Sequence, residues 1–447
     1  MKIMDYDDVV EETQIRVSLM LLPSIKDEKS SLEVPSVPIA VPATLKRKGL
    51  ASVLHHLLDN DNGDNNDMQF DFIIKKTNRL LRTSLENAVR SSGLNTEEAI
   101  ILYYFPAINA PRDENEQEKL PDWVSALQCI GNDLLLSGSY DGTIRLHSKG
   151  NTIAEHSVSK SPVKCVEARG GTDNFMAAVG SLDHSLATYI SNDGVSLERC
   201  LNCVGTHTNS VEATCFNRDG TMLLSGDFDG RVALWDTRYD NGNEAAYETN
   251  HSKRARKSDQ KHDNRATIKN EISSTATWVA NTQCVSGLTW SVDEKYVITG
   301  SHDHSVKTWD AERQDCLLTL NGSRVVTCLG RCSNSDIVAT GHPDCTVRLW
   351  DMRVGDAKQK EQVRVSDSSL RTSHKGWISD LHWSNEDPHV LATSSYDGKI
   401  CLWDIRSTIP LHSMRAHQRG EKGLCVALSN KNIFGGGTDC VIKQFSI

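Results

Sequence analysis

The sequence predicts a mostly β protein in which a seven-bladed propeller follows a small α+β domain. Three observations point there. A short motif returns seven times at a nearly constant interval, each return leads into period-2 alternation, and roughly the first hundred residues lack the motif altogether. At about 150 residues per domain the length alone would suggest three domains, but an internal repeat overrides that prior.

The motif is a small residue, two or three more small or polar ones, an Asp, and an alternating strand that usually closes on Trp-Asp. Its Asp residues are Asp141, Asp183, Asp229, Asp303, Asp344, Asp397 and Asp439, spaced 42, 46, 74, 41, 53 and 42 residues apart. A period near 42 is that of a four-stranded blade, and Asp-Gly turns followed by alternation are hairpin signals. One blade cannot bury both faces of its sheet, whereas seven packed radially leave only short protected edges. The two long intervals read as insertions after a Trp-Asp strand, where a loop can lengthen without disturbing a ring. One runs from Tyr239 to Thr275 and holds the basic cluster Lys253, Arg254, Arg256 and Lys257; a shorter one lies between Val354 and Thr372. Ile447 falls just after the third strand of blade seven. The missing outer strand would have to come from Ala107–Pro121, whose charged composition makes a poor strand.

Ahead of the repeats, Gln14–Leu22 reads as a strand and Leu32–Val41 as an extended second strand punctuated by prolines. Leu45–Asp59 carries Leu50, Val53, Leu54, Leu57 and Leu58 at helical spacing and ends in the Asn- and Asp-rich turn Asn60–Asp67. Phe70–Ile74 and Leu80–Arg82 are strands, Ser84–Ser92 is a short helix stopped by Gly93, and Ala99–Phe105 is a last strand. The order ββαββαβ is that of a ubiquitin-like β-grasp. The chain thus divides into an acidic tail (1–12), a β-grasp domain (13–105), a linker (106–121) and the propeller (122–447), with a basic insertion at 239–275.

Composition narrows the function. The chain has 49 basic and 59 acidic residues, net −10, a poor balance for a nonspecific nucleic-acid coat, although a local basic patch could still bind one. The longest clean apolar run, Ala99–Phe105, is far short of the ~20 residues that span a bilayer. The amino terminus, with Asp5, Asp7, Asp8, Glu11 and Glu12, is acidic where a signal peptide is basic. Thirteen cysteines without framework spacing favour reduced thiols in cytosol or nucleus. Secreted and membrane-spanning readings are thereby excluded.

The repeats resemble the WD-repeat family from about Asp122 to Ile447. In that family a loop His, a strand Ser or Thr, a turn Asp and a strand Trp hydrogen-bond in series. His207, Ser225, Asp229 and Trp235 match in full, as do His374, Thr393, Asp397 and Trp403. Blade one has His147 where Trp is expected, blade two has Val179 and Tyr189, and blade seven has Gly435 and Phe445, departures that predict less rigid blades. With Ala43–Leu50, Phe70–Lys75, Leu81–Leu85 and Asp122–Leu127 included, nearly the whole chain resembles the ribosome-biogenesis factors of the WD-repeat protein twelve family, which carry a Notchless-like amino-terminal domain.

That resemblance implies a non-catalytic assembly factor for the large (60S) ribosomal subunit, needed for maturation of large-subunit ribosomal RNAs. It implies a complex with Pescadillo and the Block-of-proliferation protein on pre-60S particles, removal by the AAA ATPase midasin, and residence in nucleus, nucleolus and nucleoplasm. It implies no cofactor and no metal of its own. Glu97 matches the family's Glu that is offered to midasin's metal-ion site; a hard cation with an open position takes one carboxylate. Without the resemblance, Glu97 and Glu98 are two solvated loop acids, and Lys253–Lys257 is either a solvated loop, a nuclear-import signal or a direct contact to RNA.

Other chemistry is weaker. The recurring His, Ser and Asp repeat around a ring with the Ser in a packed strand, whereas a triad needs one exposed nucleophile and an oxyanion hole. There is no GxSxG, phosphate loop or HExxH. Cys200 and Cys203 form a lone CxxC without the second ligand pair zinc wants. The residue before each turn Asp should face the ring's upper surface: Tyr140, Leu182, Phe228, His302, Pro343, Tyr396 and Thr438. Aromatics dominate interface hot spots, so Tyr140, Phe228 and Tyr396 are the candidate partner contacts. An alternative function is a substrate receptor of a cullin-type ubiquitin ligase, through Trp235–Arg238, Trp350–Arg353 and Trp403–Arg406. Those Trp-Asp-x-Arg tetrapeptides are also a common way for a blade to end.

Overall fold

The structure is a computed structural model that describes residues 13–25, 32–58, 68–95, 98–114, 119–238, 271–352 and 374–447. The chain divides into two compact units: residues 1–111 with 403–412 and 447, and the remainder.

In the first unit, β1 (Gln14–Leu21), β2 (Ile39–Pro42), α1 (Arg47–Leu58), β3 (Phe70–Ile74), β4 (Arg79–Leu80), α2 (Leu85–Ser91) and β5 (Ile100–Pro106) follow in that order. The sheet order is β2-β1-β5-β3-β4, with β1 and β5 parallel and every other pair antiparallel. This is a β-grasp. Alternation in β1 sends Ile15, Val17 and Leu19 inward, where they meet Leu50 and Leu54, one turn apart on α1, and Phe70, Phe72, Leu102 and Tyr104. The second strand is much shorter than Leu32–Val41. Pro35 and Pro38 have no N–H to give a ladder. Leu32 and Val34 are nevertheless buried, because the Tyr104 hydroxyl donates to the Leu32 carbonyl at 2.7 Å and accepts from the Val34 amide at 3.1 Å. Asp71, also buried, is held by Arg47 at 2.9 Å and Arg82 at 3.7 Å.

The second fold is a ring of seven sheets, antiparallel except for one added edge strand in blade two. Their innermost strands are Val124–Ile130, Val163–Gly170, Val211–Phe216, Val285–Trp290, Cys328–Arg331, Ile378–Trp383 and Gly423–Leu428, and each neighbours the next in a closed circle. The glycine inside six of the seven motifs, replaced by Ser394 in blade six, explains how closely blades pack. A Cβ on Gly226 would lie 2.7 Å from Val285 of the next blade, and one on Gly436 would lie 2.6 Å from Val124, where blade seven meets blade one. A β-branched side chain thus lies directly on the neighbouring backbone.

Closure of the ring corrects the reading of the linker. Arg112–Asp113 (β6) pairs antiparallel with Phe445 and Ser446 as the outer strand of blade seven, and the Glu114 amide donates to the Gln444 carbonyl at 3.0 Å. Charge was a poor argument against this strand, because an outermost strand leaves its side chains in water and needs only its backbone to pair. Leu120, within the same supposed linker, is buried. The long insertion is also shorter than expected: Glu271–Ile272 pairs in parallel with Asn202–Cys203 as a fifth strand of blade two. The cluster Lys253, Arg254, Arg256 and Lys257 and the Val354–Thr372 excess lie outside the described residues, and blade five has three described strands.

Candidate functional site: upper face and channel of the propeller

The buried networks set the upper face. In blade three the Ser225 hydroxyl lies 2.6 Å from His207 Nε2 and accepts from the Trp235 indole at 2.8 Å. The carboxylate partner of His207 is Asp227, at 2.9 Å, and not Asp229. The reason is local. Four other blades carry Ser139, Ser181, Ser301 and Ser395 at this position, whereas an Asp there is long enough to reach the imidazole. Asp229 turns outward and accepts from Thr208 and Asn209. In blade six His374 bonds Thr393 at 2.8 Å and Asp397 at 3.4 Å, with Trp403 buried beside them. Burial works against a charge on His374, but hydrogen bonding to Asp397 prevails and pushes its pKa up to about 9.

Two divergent blades, one and four, keep a network with substituted residues. In blade one, His147 fills the Trp position and bonds Ser137 at 2.8 Å; burial, with Arg145 nearby, pushes it down to about 4, so it is held neutral. In blade four Asn281 replaces the loop His, accepting from Thr299 at 2.9 Å and donating to Asp303 at 3.0 Å. Blade seven is incomplete. His417 bonds Asp439 at 2.9 Å, yet its Nε2 is buried without a partner because Gly435 has no hydroxyl. A Cβ on Gly435 would meet Ile400 at 2.3 Å, so the space is already filled. In blade two, likewise, the Tyr189 hydroxyl is buried without a partner. Such placements bind sheets together; the Ser225 hydroxyl is fully buried between two rings.

Tyr140, Phe228 and Tyr396 all border the same central cavity of about 880 Å³, with Phe228 50% exposed. Two tryptophans beside them escaped sequence reasoning. Trp123 packs 5.4 Å from Tyr140, and Trp377 stacks on Tyr396 at 6.0 Å with the rings 13° apart. They are 44% and 53% exposed. Both occupy one repeat position, since the Tyr140 amide donates to the Trp123 carbonyl as that of Tyr396 does to Trp377. The matching Trp123-Val-Ser and Trp377-Ile-Ser was the available signal. Lys422 lies 4.9 Å over the Tyr396 ring, so this part of the face is aromatic with one cation laid across it.

Below this rim the channel is polar. Lys164 pairs with Glu212 at 3.3 Å. Deeper, burial pushes Glu167 up to about 7 and Asp380 up to about 6, the latter against hydrogen bonds from the Val426 and Leu381 amides. Cys200 and Cys203 sit buried in the fourth strand of blade two, and burial pushes Cys203 up to about 12, which keeps it a thiol. Glu97 lies outside the described residues; Asn95 and Glu98 on either side of it are exposed.

Comparison with known proteins agrees with this architecture. Residues 24–89 match the family described as NLE (NUC135) domain. Residues 119–148, 198–236, 272–310, 314–351 and 367–404 match the WD domain, G-beta repeat. The five matched stretches are the blades with a complete or nearly complete network, and the unmatched ones are blades two and seven. The chain is a WD-repeat propeller protein with an NLE domain. Across nearly their full lengths it is similar to proteins named ribosome biogenesis protein WDR12 homolog. It is 29% identical to that of Oryza sativa subsp. japonica, covering 93% of this chain and 94% of the relative. It is 29% identical to that of Chlamydomonas reinhardtii, covering 98% of each, and 28% identical to that of Nematostella vectensis, covering 96% and 98%. None of this chain's described helices is long and apolar enough to cross a membrane.

Proposed function

We propose that this protein is a non-catalytic assembly factor of the ribosome, acting on the large (60S) subunit in maturation of its ribosomal RNAs. The observation that carries this is the pairing of an NLE domain with WD repeats, shared along nearly the whole chain with relatives named for ribosome biogenesis. In this reading the protein joins Pescadillo and the Block-of-proliferation protein, whose own propeller docks onto the upper face around Tyr140, Phe228 and Tyr396. The loop carrying Glu97 offers a carboxylate to midasin's metal ion, and the factor works in nucleolus and nucleoplasm. Exposure of Asn95 and Glu98 supports a presented loop.

Affinity purification of a tagged copy from nuclear extract, read by mass spectrometry, tests the proposal. Large-subunit precursors with those partners are expected; a cullin adaptor instead would overturn it. The ligase alternative draws little from the geometry, because in the Trp-Asp-x-Arg motifs Arg238 and Arg406 fold back onto Asp236 and Asp404 within the same tetrapeptide. The basic cluster Lys253, Arg254, Arg256 and Lys257 is read as the import signal. Alanine at all four should lower nuclear accumulation of the tagged copy, and unchanged accumulation would remove that role.

A further inference from the structure

Three arginines from different blades converge at the lower mouth of the channel, at the carboxyl ends of innermost strands. Arg169 is the last residue but one of that of blade two, Arg331 ends that of blade five, and Arg218 follows that of blade three; all three line the central cavity. Arg169 Nε donates to the Arg218 carbonyl at 3.0 Å, fixing one against the other. Arg331 Nη1 donates to the Cys332 carbonyl at 2.8 Å, while its Nε is buried without a partner. Trp290, on the intervening blade and lining the same cavity, also has a buried indole N–H without a partner.

Carboxylates stand near these groups without pairing with them: Glu167, which lines the same cavity, feels the charge of Arg169, and Asp336 feels that of Arg331. Glu294 accepts the Arg218 amide at 2.5 Å, and Asp336 accepts the Val292 amide at 2.8 Å. Among the described residues none of the three guanidinium groups forms an ion pair. Burial lowers the pKa of Arg331 most; Asp336 works to raise it and Arg218, less strongly, to lower it, so a carboxylate and a second cation both reach this guanidinium. Three guanidinium groups gathered without an ion pair, one of them with a buried unpartnered N–H, leave donors for an anion to take up. Guanidinium forks match phosphate oxygens two at a time.

We propose that the lower mouth of the channel is a phosphate-binding site formed by Arg169, Arg218 and Arg331, with the Trp290 N–H as a further donor. Its ligand chemistry is a phosphodiester or polyphosphate oxygen set, which an RNA backbone or a free polyphosphate could present. The site goes beyond the assembly-factor reading and does not depend on it.

The test uses the full chain and a labelled oligouridylate, followed by fluorescence anisotropy over a salt series, with tripolyphosphate as competitor. Arg169 and Arg218 are exposed, so the pair Arg169→Ser and Arg218→Ser should leave the fold intact, checked by thermal unfolding. The double variant should bind RNA about 10-fold more weakly, and its slope of log affinity against log salt should fall by about 1.4, two phosphates at about 0.7 each. Arg331→Lys, which keeps the charge and loses the fork, should weaken binding less. Alanine at Lys253, Arg254, Arg256 and Lys257 should leave an arginine-dependent component in place. Tripolyphosphate displacing RNA from the parent chain supports RNA as the ligand. Arginine-dependent tripolyphosphate binding with RNA unaffected supports a free polyphosphate. If the double variant binds both as the parent does, the channel mouth holds only water and the proposal fails.

Discussion

His374 shows how one side chain ties fold to pH. In an unfolded chain it would titrate near 6.5, and here Asp397 holds it up at about 9. The folded state therefore binds that proton more tightly. Its contribution to stability is complete below about pH 6.5 and is lost as pH rises through about 9. Asp397, pushed down to about 2 against the opposing effect of burial by hydrogen bonds from His374 and the Lys375 amide, contributes above about pH 3.8 and loses its contribution as pH falls through about 2. Blade four supplies the control, since Asn281 makes the corresponding bonds without a charge. His374→Asn should keep blade six folded and flatten the stability profile between about pH 6.5 and 9.5, measured by urea unfolding. An equal alkaline loss in both proteins would show that His374 carries no charge in the fold.

At the scale of the element, a weak join is the two-residue strand Arg112–Asp113. It adds a single short edge to blade seven and leaves its side chains in water, so its hold is backbone hydrogen bonding with little apolar burial. Glu114→Pro removes the amide that donates to Gln444 and should cost about 1 kcal/mol. Hydrogen exchange of Ile442–Ser446 should accelerate while the innermost strands stay protected. No change there would mean that closure does not depend on this pairing. The seven-strand inner ring should persist, because its blades interlock through contacts such as Val285 on Gly226.

At the scale of the whole molecule, two variants separate the two proposed attachments. Alanine at Tyr140, Phe228 and Tyr396 should leave the propeller folded and weaken partner capture by at least about 10-fold, since truncating clustered aromatic contacts costs about 2 kcal/mol or more at hot spots. Trp123 and Trp377 belong to the same face, and adding Trp377→Ala should deepen the loss. Full partner binding by the triple variant would place the interface elsewhere. Glu97→Asp draws the carboxylate back by about 1.5 Å, more than a metal–oxygen bond of about 2.0–2.1 Å tolerates. Pre-ribosome entry should survive and midasin engagement should be lost, with the factor accumulating on late large-subunit precursors in pull-downs. Glu98→Asp serves as the comparison; if it alone abolishes engagement, the ligand is the next residue.

Much of this architecture was legible in one dimension because propellers and β-grasps are built from local signals. A constant period, Asp-Gly turns and period-2 alternation specify blades without any long-range information. Helical spacing at Leu50 and Leu54 and alternation in β1 specify the β-grasp in the same way. The partners in the blade-three network were not legible, because Asp227 and Asp229 are chemically identical and two residues apart; only the backbone path decides which reaches His207. The outer strand of blade seven came from residues hundreds of positions away from its neighbours. Trp123 pairing with Tyr140, and three arginines from three blades meeting at one channel mouth, depend on the same circumstance. Closing the ring brings together side chains whose sequence neighbours carry no trace of the encounter, so it was the tertiary structure that decided which surface each repeat contributes and what stands beside it.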